Sequence, residues 1–266
     1  MRYTQLPGSS SLRPALLSSA LATVLVIAGC SGGTKQSQEP EIDLLPLVSA
    51  AVNDNTRPEN QLARDEARKP AEVLVFSEIK PGDRVMDIAA GGGYYTQIIS
   101  RLVGEKGKVF AVNPSLVAEK YPQAIAPLEA ALEAGEMPNA VHQLVPSFSQ
   151  DLPQNIDVAI NVLFYHDFIW AEKDREAVNS ALFDALKPGG IYLVIDHASA
   201  EQGWQAAETL HRGNEQLTKQ EILAAGFEFI AFSDVLRHPE DPLTENVFSE
   251  IRGKTDRFIL KFKKPE

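Results

Sequence analysis

The chain holds a single cysteine among 266 residues. No internal disulfide can form, and a cysteine-based zinc site is excluded. Positive charge is also scarce: 25 Lys and Arg stand against 36 Asp and Glu, for a formal net charge of −11. Residues 1–29 contain two arginines and no acid, so the acidic excess lies in the remainder. A generic nucleic-acid binder needs a basic face, so no nucleic-acid partner is expected; a local basic patch stays open. The apolar run Pro14 to Ala28 has 15 residues, short of the ~20 that a membrane span needs. What is present is globular in kind, with 44% hydrophobic and 23% charged residues.

The first thirty residues read as an address. Arg2 and Arg13 bracket a polar segment, the run "PALLSSALATVLVIA" follows, and "IAGC" ends on Cys30. This fits a secretory signal. The ending resembles the bacterial lipoprotein lipobox, with Ile27 where leucine is commoner. The resemblance implies cleavage behind Gly29 and lipidation of Cys30, which would turn a soluble chain into an anchored one. A buried N-terminal helix with a chance cysteine is the competing reading. Residues 30–41 are polar and read as a flexible tether. Ser31, by resemblance to enteric sorting rules, favours the outer membrane. The expected organisation is therefore a signal peptide at 1–29, a tether at 30–41 and a domain at 42–266, exported and facing the periplasm.

In the domain, residues 42–80 look helical in pieces, with "IDLLPLVSAAV" broken by Pro46 and a new helix starting at Pro70. Strands and helices then alternate. "DRVMDI" is a strand, followed by the helix "YYTQIISRLV" with Tyr94, Ile98 and Leu102 on one face. "GKVFAV" and "AVHQLV" are strands flanking the helix "QAIAPLEAALEA". "DVAINVLF" is apolar enough for burial on both faces. The helix "DREAVNSALFDALK" is stopped by "PGG", and "IYLVID" is the fifth strand. The helix "TKQEILAAGF" precedes "FEFIAFSDV" and "DRFILKF", two last strands that lack a helical crossover and so read as an antiparallel pair. This pattern predicts an α/β fold: a doubly wound, seven-stranded, mainly parallel sheet with an antiparallel terminal hairpin and N-terminal helices.

Ligands of such sheets bind beyond the carboxyl ends of the strands. Gly91, Gly92 and Gly93 lie there, in "VMDIAAGGGYYT". Lacking Cβ, they can take positive φ and admit a ligand to the backbone, and the following helix start favours an anion. Nucleotides, flavins and S-adenosylmethionine all use such turns. The spacing lacks the G-x-G-x-x-G order of dinucleotide folds and the G-K-[ST] of a phosphate loop.

The stretch "VMDIAAGGGYYT" resembles motif I of the class I S-adenosylmethionine-dependent methyltransferases, whose fold is Rossmann-like. "PGDRV" before the strand, "GKVFAV" and "ALKPGGIYLVIDH" agree with it. The resemblance is greatest to a group of predicted bacterial methyltransferases marked by "YHD", here Tyr165 to Asp167, and "RGKTDRF", here Arg252 to Phe258. It implies S-adenosylmethionine as cofactor, with Gly91 and Gly93 holding its methionine half and Asp87 supporting the amino group or ordering the loop. Ala89 stands where the family more often has glycine. Asn113 stands where an acid usually takes both ribose hydroxyls; an amide accepts one such bond without charge. Before Pro114 it could equally be a turn starter.

Methyl transfer from a sulfonium needs a positioned nucleophile and exclusion of water, with a base or metal where the nucleophile is a hydroxyl. Candidates follow strands four and five. His166 is the expected base, flanked by Tyr165 and Asp167, and Asp196, His197, His211 and Arg212 form the expected substrate rim. The competing reading for each histidine is a loop-holding hydrogen bond. No metal is assigned, and a divalent ion between Asp167 and Asp196 is the alternative to a base. Phe164, Tyr165, Phe168 and Trp170 are a pocket lid or, the better reading, core. The functional expectation is a lipid-anchored methyltransferase acting on a small molecule or other unidentified acceptor. A non-catalytic ligand-binding lipoprotein on the same fold is the second reading, and a dehydrogenase-like nucleotide binder the third. The address has a direct test. Cys30→Ser should abolish lipid labelling and leave an uncleaved or soluble product; a processed, lipid-labelled variant in the membrane fraction would refute it.

Overall fold

Along β1 (Arg84–Ile88), Val85 joins the apolar cluster on one face of the sheet, while Met86 and Ile88 join the cluster on the other. A strand apolar on both faces needs cover on both sides, and alternation of elements supplies it. Among the described residues, four helices precede β1: α1 (Leu44–Val52), α2 (Glu59–Leu62), α3 (Asp65–Arg68) and α4 (Pro70–Ser77). After β1 come α5 (Tyr94–Val103), β2 (Lys108–Pro114), α6 (Ser115–Lys120), α7 (Pro122–Glu133) and β3 (Ala140–Val145). The second half runs β4 (Ile156–Val162), α8 (Phe168–Ala171), α9 (Arg175–Ala185), β5 (Leu186–His197), α10 (Gln205–Leu210), α11 (Glu215–Ala224), β6 (Glu228–Ser233) and β7 (Arg257–Lys263). The computed structural model describes residues 42–172 and 174–266; the signal peptide, tether and Cys30 read from the sequence lie outside the described residues.

The seven strands lie in the order β3-β2-β1-β4-β5-β7-β6. The strands β1 to β5 pair in parallel, whereas β7 runs antiparallel to both β5 and β6. The order reverses between β1 and β4, which opens a crevice at their carboxyl ends. Helices α1, α4, α5 and α7 cover one face through Val48, Leu74, Ile98 and Leu128. Helices α9 and α11 cover the other through Val178, Leu182 and Ile222. Among the described residues, no helix is long and apolar enough to cross a membrane.

Two local expectations change. Pro46 does not break α1; it lies within the first turn, behind the Asp43 N-cap, where backbone N–H groups have no intrahelical partner to lose. The helix α9 ends at Ala185, and "LKPGG" belongs to β5, joined by a register shift between Ile156 and Val158 of β4. The short helices α6, α8 and α10 carry too few residues for a periodic signal.

Helix α7 packs on the glycine turn. A Cβ at Gly93 would meet Leu128 Cδ1 at 2.9 Å, and one at Gly92 would meet the Ala124 carbonyl at 3.3 Å. Gly93 also has φ +81°. Gly93→Val should therefore destabilise the fold by about 2–4 kcal/mol, combining left-handed backbone strain with overpacking. A shift of the urea midpoint measures it; an unchanged midpoint would remove α7 packing as the reason for glycine here.

Candidate functional site

A cavity of about 520 Å³ lies over the carboxyl ends of β1, β4 and β5. That volume suits a small-molecule site. Asp87 and Ala89 from the end of β1, Gly91 and Gly92 from the turn, and His166, Asp167 and His197 line it. The structure thus brings together residues expected from the glycine turn and from the β4 and β5 ends.

The glycine turn is held from below. The Asn113 side chain is buried; its Oδ1 accepts from the Gly91 N–H at 2.9 Å and its Nδ2 lies 3.1 Å from His142 Nε2. Both ends of this amide are engaged within the protein, and Asn113 is not on the cavity wall. The structure places it as the anchor of the turn, a role distinct from both ribose contact and turn initiation. Gly91 has φ +54° and lines the cavity, and an added Cβ would meet no atom nearer than 3.9 Å. Gly93 is covered by Leu128 and does not line the cavity. Ala89 adopts φ +55°, a left-handed backbone that costs an alanine about 1–2 kcal/mol and explains why glycine suits this position. Asp87 is buried and accepts from Thr96 Oγ1 at 2.6 Å. Burial outweighs that bond and pushes its pKa up to about 6.

The β4 and β5 ends separate into wall and support. Tyr165 is not on the wall. It is fully buried in the opposite cluster, donating to Glu221 Oε2 at 3.0 Å and accepting from Asn179 at 2.8 Å. Neighbours in the tight turn after β4 point opposite ways, and Leu163 takes φ +59° to make it. Phe164, Phe168 and Phe148 pack together as core. Asp196 is also buried, beneath the rim. Its Oδ2 accepts from the His166 N–H at 2.7 Å, and its Oδ1 accepts from the His197 N–H at 2.8 Å and faces His166 Nδ1 at 2.7 Å. With both oxygens taken, Asp196 has little left for an ion shared with Asp167.

His166 is buried, which alone would lower its pKa, but Asp196 and Asp167 outweigh burial and raise it to about 10. It therefore holds its proton at neutral pH, which corrects the expectation of a free base. His166 Nε2 lies 3.2 Å from Asp167 Oδ1 yet off any hydrogen-bond direction, and has no hydrogen-bond partner. His197 differs: burial, then Arg257 and the charged His166, hold its pKa well below the usual range, so it is neutral. His211 ends α10 with φ +55° and places Nδ1 3.1 Å from Asp167 Oδ1. Arg212 is wholly buried, away from the rim. It donates to Asp241 through both Nη atoms, at 2.8 and 3.0 Å, and to the Ala198 and Glu245 carbonyls.

Four arginines complete the cavity: Arg64 and Arg68 from the segment before α4, and Arg252 and Arg257 from the stretch leading into β7. The Arg252 to Phe258 motif is a sequence mark to which the residues assign no role; no pattern in the N-terminal helices points to Arg64 or Arg68. Arg68 lies over the Tyr94 ring at 4.7 Å. Arg257 is buried, and burial with repulsion from Arg68 lowers its pKa to about 10. None of the four has an ion-pair partner among the described residues. The cavity combines an unneutralised cationic wall with one buried carboxyl at Asp87.

A family model for protein-L-isoaspartate(D-aspartate) O-methyltransferase matches residues 66–129. A similar protein is the ubiquinone/menaquinone biosynthesis C-methyltransferase UbiE of Teredinibacter turnerae, 28% identical over 131 residues, 48% of this chain and 49% of that one. The chain thus spans about half the length of that relative. A methyltransferase from Aquifex aeolicus superposes with a TM-score of 0.56 at 19% identity, covering 84% of this chain and 100% of its own. The fold is that of the class I methyltransferases. Fibrillarin of Aeropyrum pernix, solved with natively bound S-adenosyl-L-methionine, has a TM-score of 0.50 at 15% identity, covering 75% of this chain and 76% of its own.

Asp87 yields a stability prediction. Its folded pKa of about 6 lies above the unfolded value, so the fold favours its neutral form. Its contribution is full below about pH 4 and is lost as pH rises through 6. Asp87→Asn should remove that loss, gaining up to about 3 kcal/mol over wild type between pH 4 and 7.5. Urea unfolding of both proteins across that range measures the difference; parallel pH curves would contradict it.

Proposed function

We propose that the chain is an S-adenosylmethionine-dependent methyltransferase, exported and lipid-anchored through Cys30. The observation that carries the activity is the convergence of Asp87, the exposed Gly91 backbone and the arginine wall on one cavity. The methionine end of the cofactor is zwitterionic. Asp87 would take its ammonium, and Arg68 or Arg257 its carboxylate. Gly91 leaves the space that a Cβ would fill. These residues fit the group. When bound, the cofactor supplies a methyl group on a sulfonium, an electrophile that needs little beyond alignment.

This chain's own residues then have defined tasks. Tyr94, Tyr95, Val162 and Leu163 line the cavity and exclude water from it. His197 is a neutral imidazole on the wall, held through Nδ1 by Thr255 Oγ1 at 2.8 Å. His166, charged and clamped by Asp196, orients the rim. The acceptor would enter over the β4 and β5 ends, between Asp167 and Phe248. The lone cysteine behind a 15-residue apolar run supports the exported, anchored reading. One observation favours the second reading, a non-catalytic binding protein: Asn113 spends its amide on the glycine turn and so does not supply a ribose clamp.

Calorimetry with S-adenosylmethionine and S-adenosylhomocysteine tests the cofactor. Both should bind one to one. Affinity should rise from pH 5 to 7.5, because the Asp87 carboxyl must ionise to pair with the ammonium. Gly91→Val should weaken binding at least tenfold in a variant that folds by circular dichroism. Undiminished affinity in that variant would remove the glycine turn from the site.

A further inference from the structure

Beside the arginine wall, three ligand-type side chains meet at the mouth of the cavity. One ligand-type atom from each of His166, Asp167 and His211 lies within 4.8 Å of the other two. His166 Nε2 is 3.2 Å from Asp167 Oδ1, and His211 Nδ1 is 3.1 Å from the same oxygen. Protein ligands sit about 2.0–2.2 Å from a zinc-sized ion. Two such ligands at roughly right angles are then about 3 Å apart, as each histidine nitrogen is from Asp167 Oδ1.

We propose that His166, Asp167 and His211 bind a divalent first-row transition-metal ion at the edge of the cavity. The unpartnered nitrogen is the deciding observation. The His166 side chain is 3% exposed, and its Nε2 has no hydrogen-bond partner although a carboxylate oxygen is 3.2 Å away. A histidine kept only to bind Asp167 would turn its N–H onto that oxygen. Here the ring is instead fixed from its far side, by Asp196 Oδ1 at 2.7 Å from Nδ1. A carboxylate behind the remote nitrogen is the support that ligating histidines receive: it sets the tautomer and the ring direction. The ion would displace the proton that His166 otherwise holds on Nε2, so binding releases a proton. Asp196 is itself held by the backbone N–H groups of His166 and His197, so the support is rigid.

Asp167 is oriented in turn by the Trp170 indole, which donates to Oδ1 at 2.6 Å. Phe248 packs edge-on against His211 at 4.9 Å and limits its ring. Two imidazoles and one carboxylate suit zinc, iron, nickel or copper; magnesium and calcium prefer all-oxygen sets. Three protein ligands leave further coordination positions, and since His166 and Asp167 line the cavity these positions open into it. Such an arrangement belongs to sites where the ion meets a substrate. None of these three residues is assigned to the cofactor, so metal binding stands apart from the methyl-transfer reading.

The test is metal binding by tag-free, chelator-treated protein. Cobalt(II) should bind one to one with ligand-field absorption in the visible, and zinc should displace it. Magnesium should do neither. His211→Asn, which tolerates the left-handed backbone at this position, should weaken zinc binding at least 100-fold while the fold is kept. Asp196→Asn should weaken it 10- to 100-fold through loss of the orienting carboxylate. His238→Ala, at a histidine outside the cavity, should leave it unchanged. The proposal fails if folded wild-type protein takes up no stoichiometric cobalt or zinc. It fails equally if His211→Asn binds as wild type does, or if magnesium competes on equal terms.

Discussion

Asp196, the penultimate residue of β5, is fully buried, and burying a carboxylate unpaired costs several kcal/mol. The protein meets that charge with two backbone N–H groups and the His166 ring. Each bond fixes something else. The first sets the backbone of the turn after β4, the second the end of β5, and the third the plane of His166. His166 then faces Asp167, and Asp167 faces His211. The geometry of the cavity mouth propagates outward from one buried anion. The same anion keeps His166 charged beside a neutral His197, so two histidines about 6 Å apart differ in protonation.

A second buried pair performs a comparable task. Arg212 and Asp241 are both fully buried and bound by two parallel hydrogen bonds. Asp241 also accepts from the backbone of Leu243 and Asp256. The pair thereby pins the long connection between β6 and β7, and that connection delivers Arg252 and Arg257 to the cavity wall. Removing one partner of such a pair costs about 3–5 kcal/mol, because the other charge stays buried. Arg212 belongs to the scaffold of the site even though it does not line the cavity.

The glycine turn shows how one sequence feature can answer to two constraints. Gly91 faces the cavity and needs its bare backbone there. Gly92 and Gly93 need theirs because α7 packs against them. A run of three glycines looks uniform in sequence, but only its first two members line the cavity, and the third serves packing. Asn113 belongs with this turn, since its amide oxygen caps Gly91 from beneath the sheet edge.

Side-chain periodicity by itself determined the architecture: seven strands, their helical cover and the antiparallel end follow from local alternation, and local alternation is what a sequence displays. It also determined that Asp87, Gly91, His166, Asp167 and His197 reach one sheet edge, because each follows a parallel strand. Only the tertiary structure decided which way each side chain turns. Tyr165 and His166 are neighbours, yet one enters the core and the other the cavity, since a left-handed Leu163 rotates the turn between them and β4. Likewise Asp196, Asn113 and Arg212 became supports because burial forced their polar atoms to find partners inside the protein. The arginine wall was out of reach of sequence reasoning for a different reason. Its members come from residues 64–68 and 252–257, and their charges add up only where folding closes that separation.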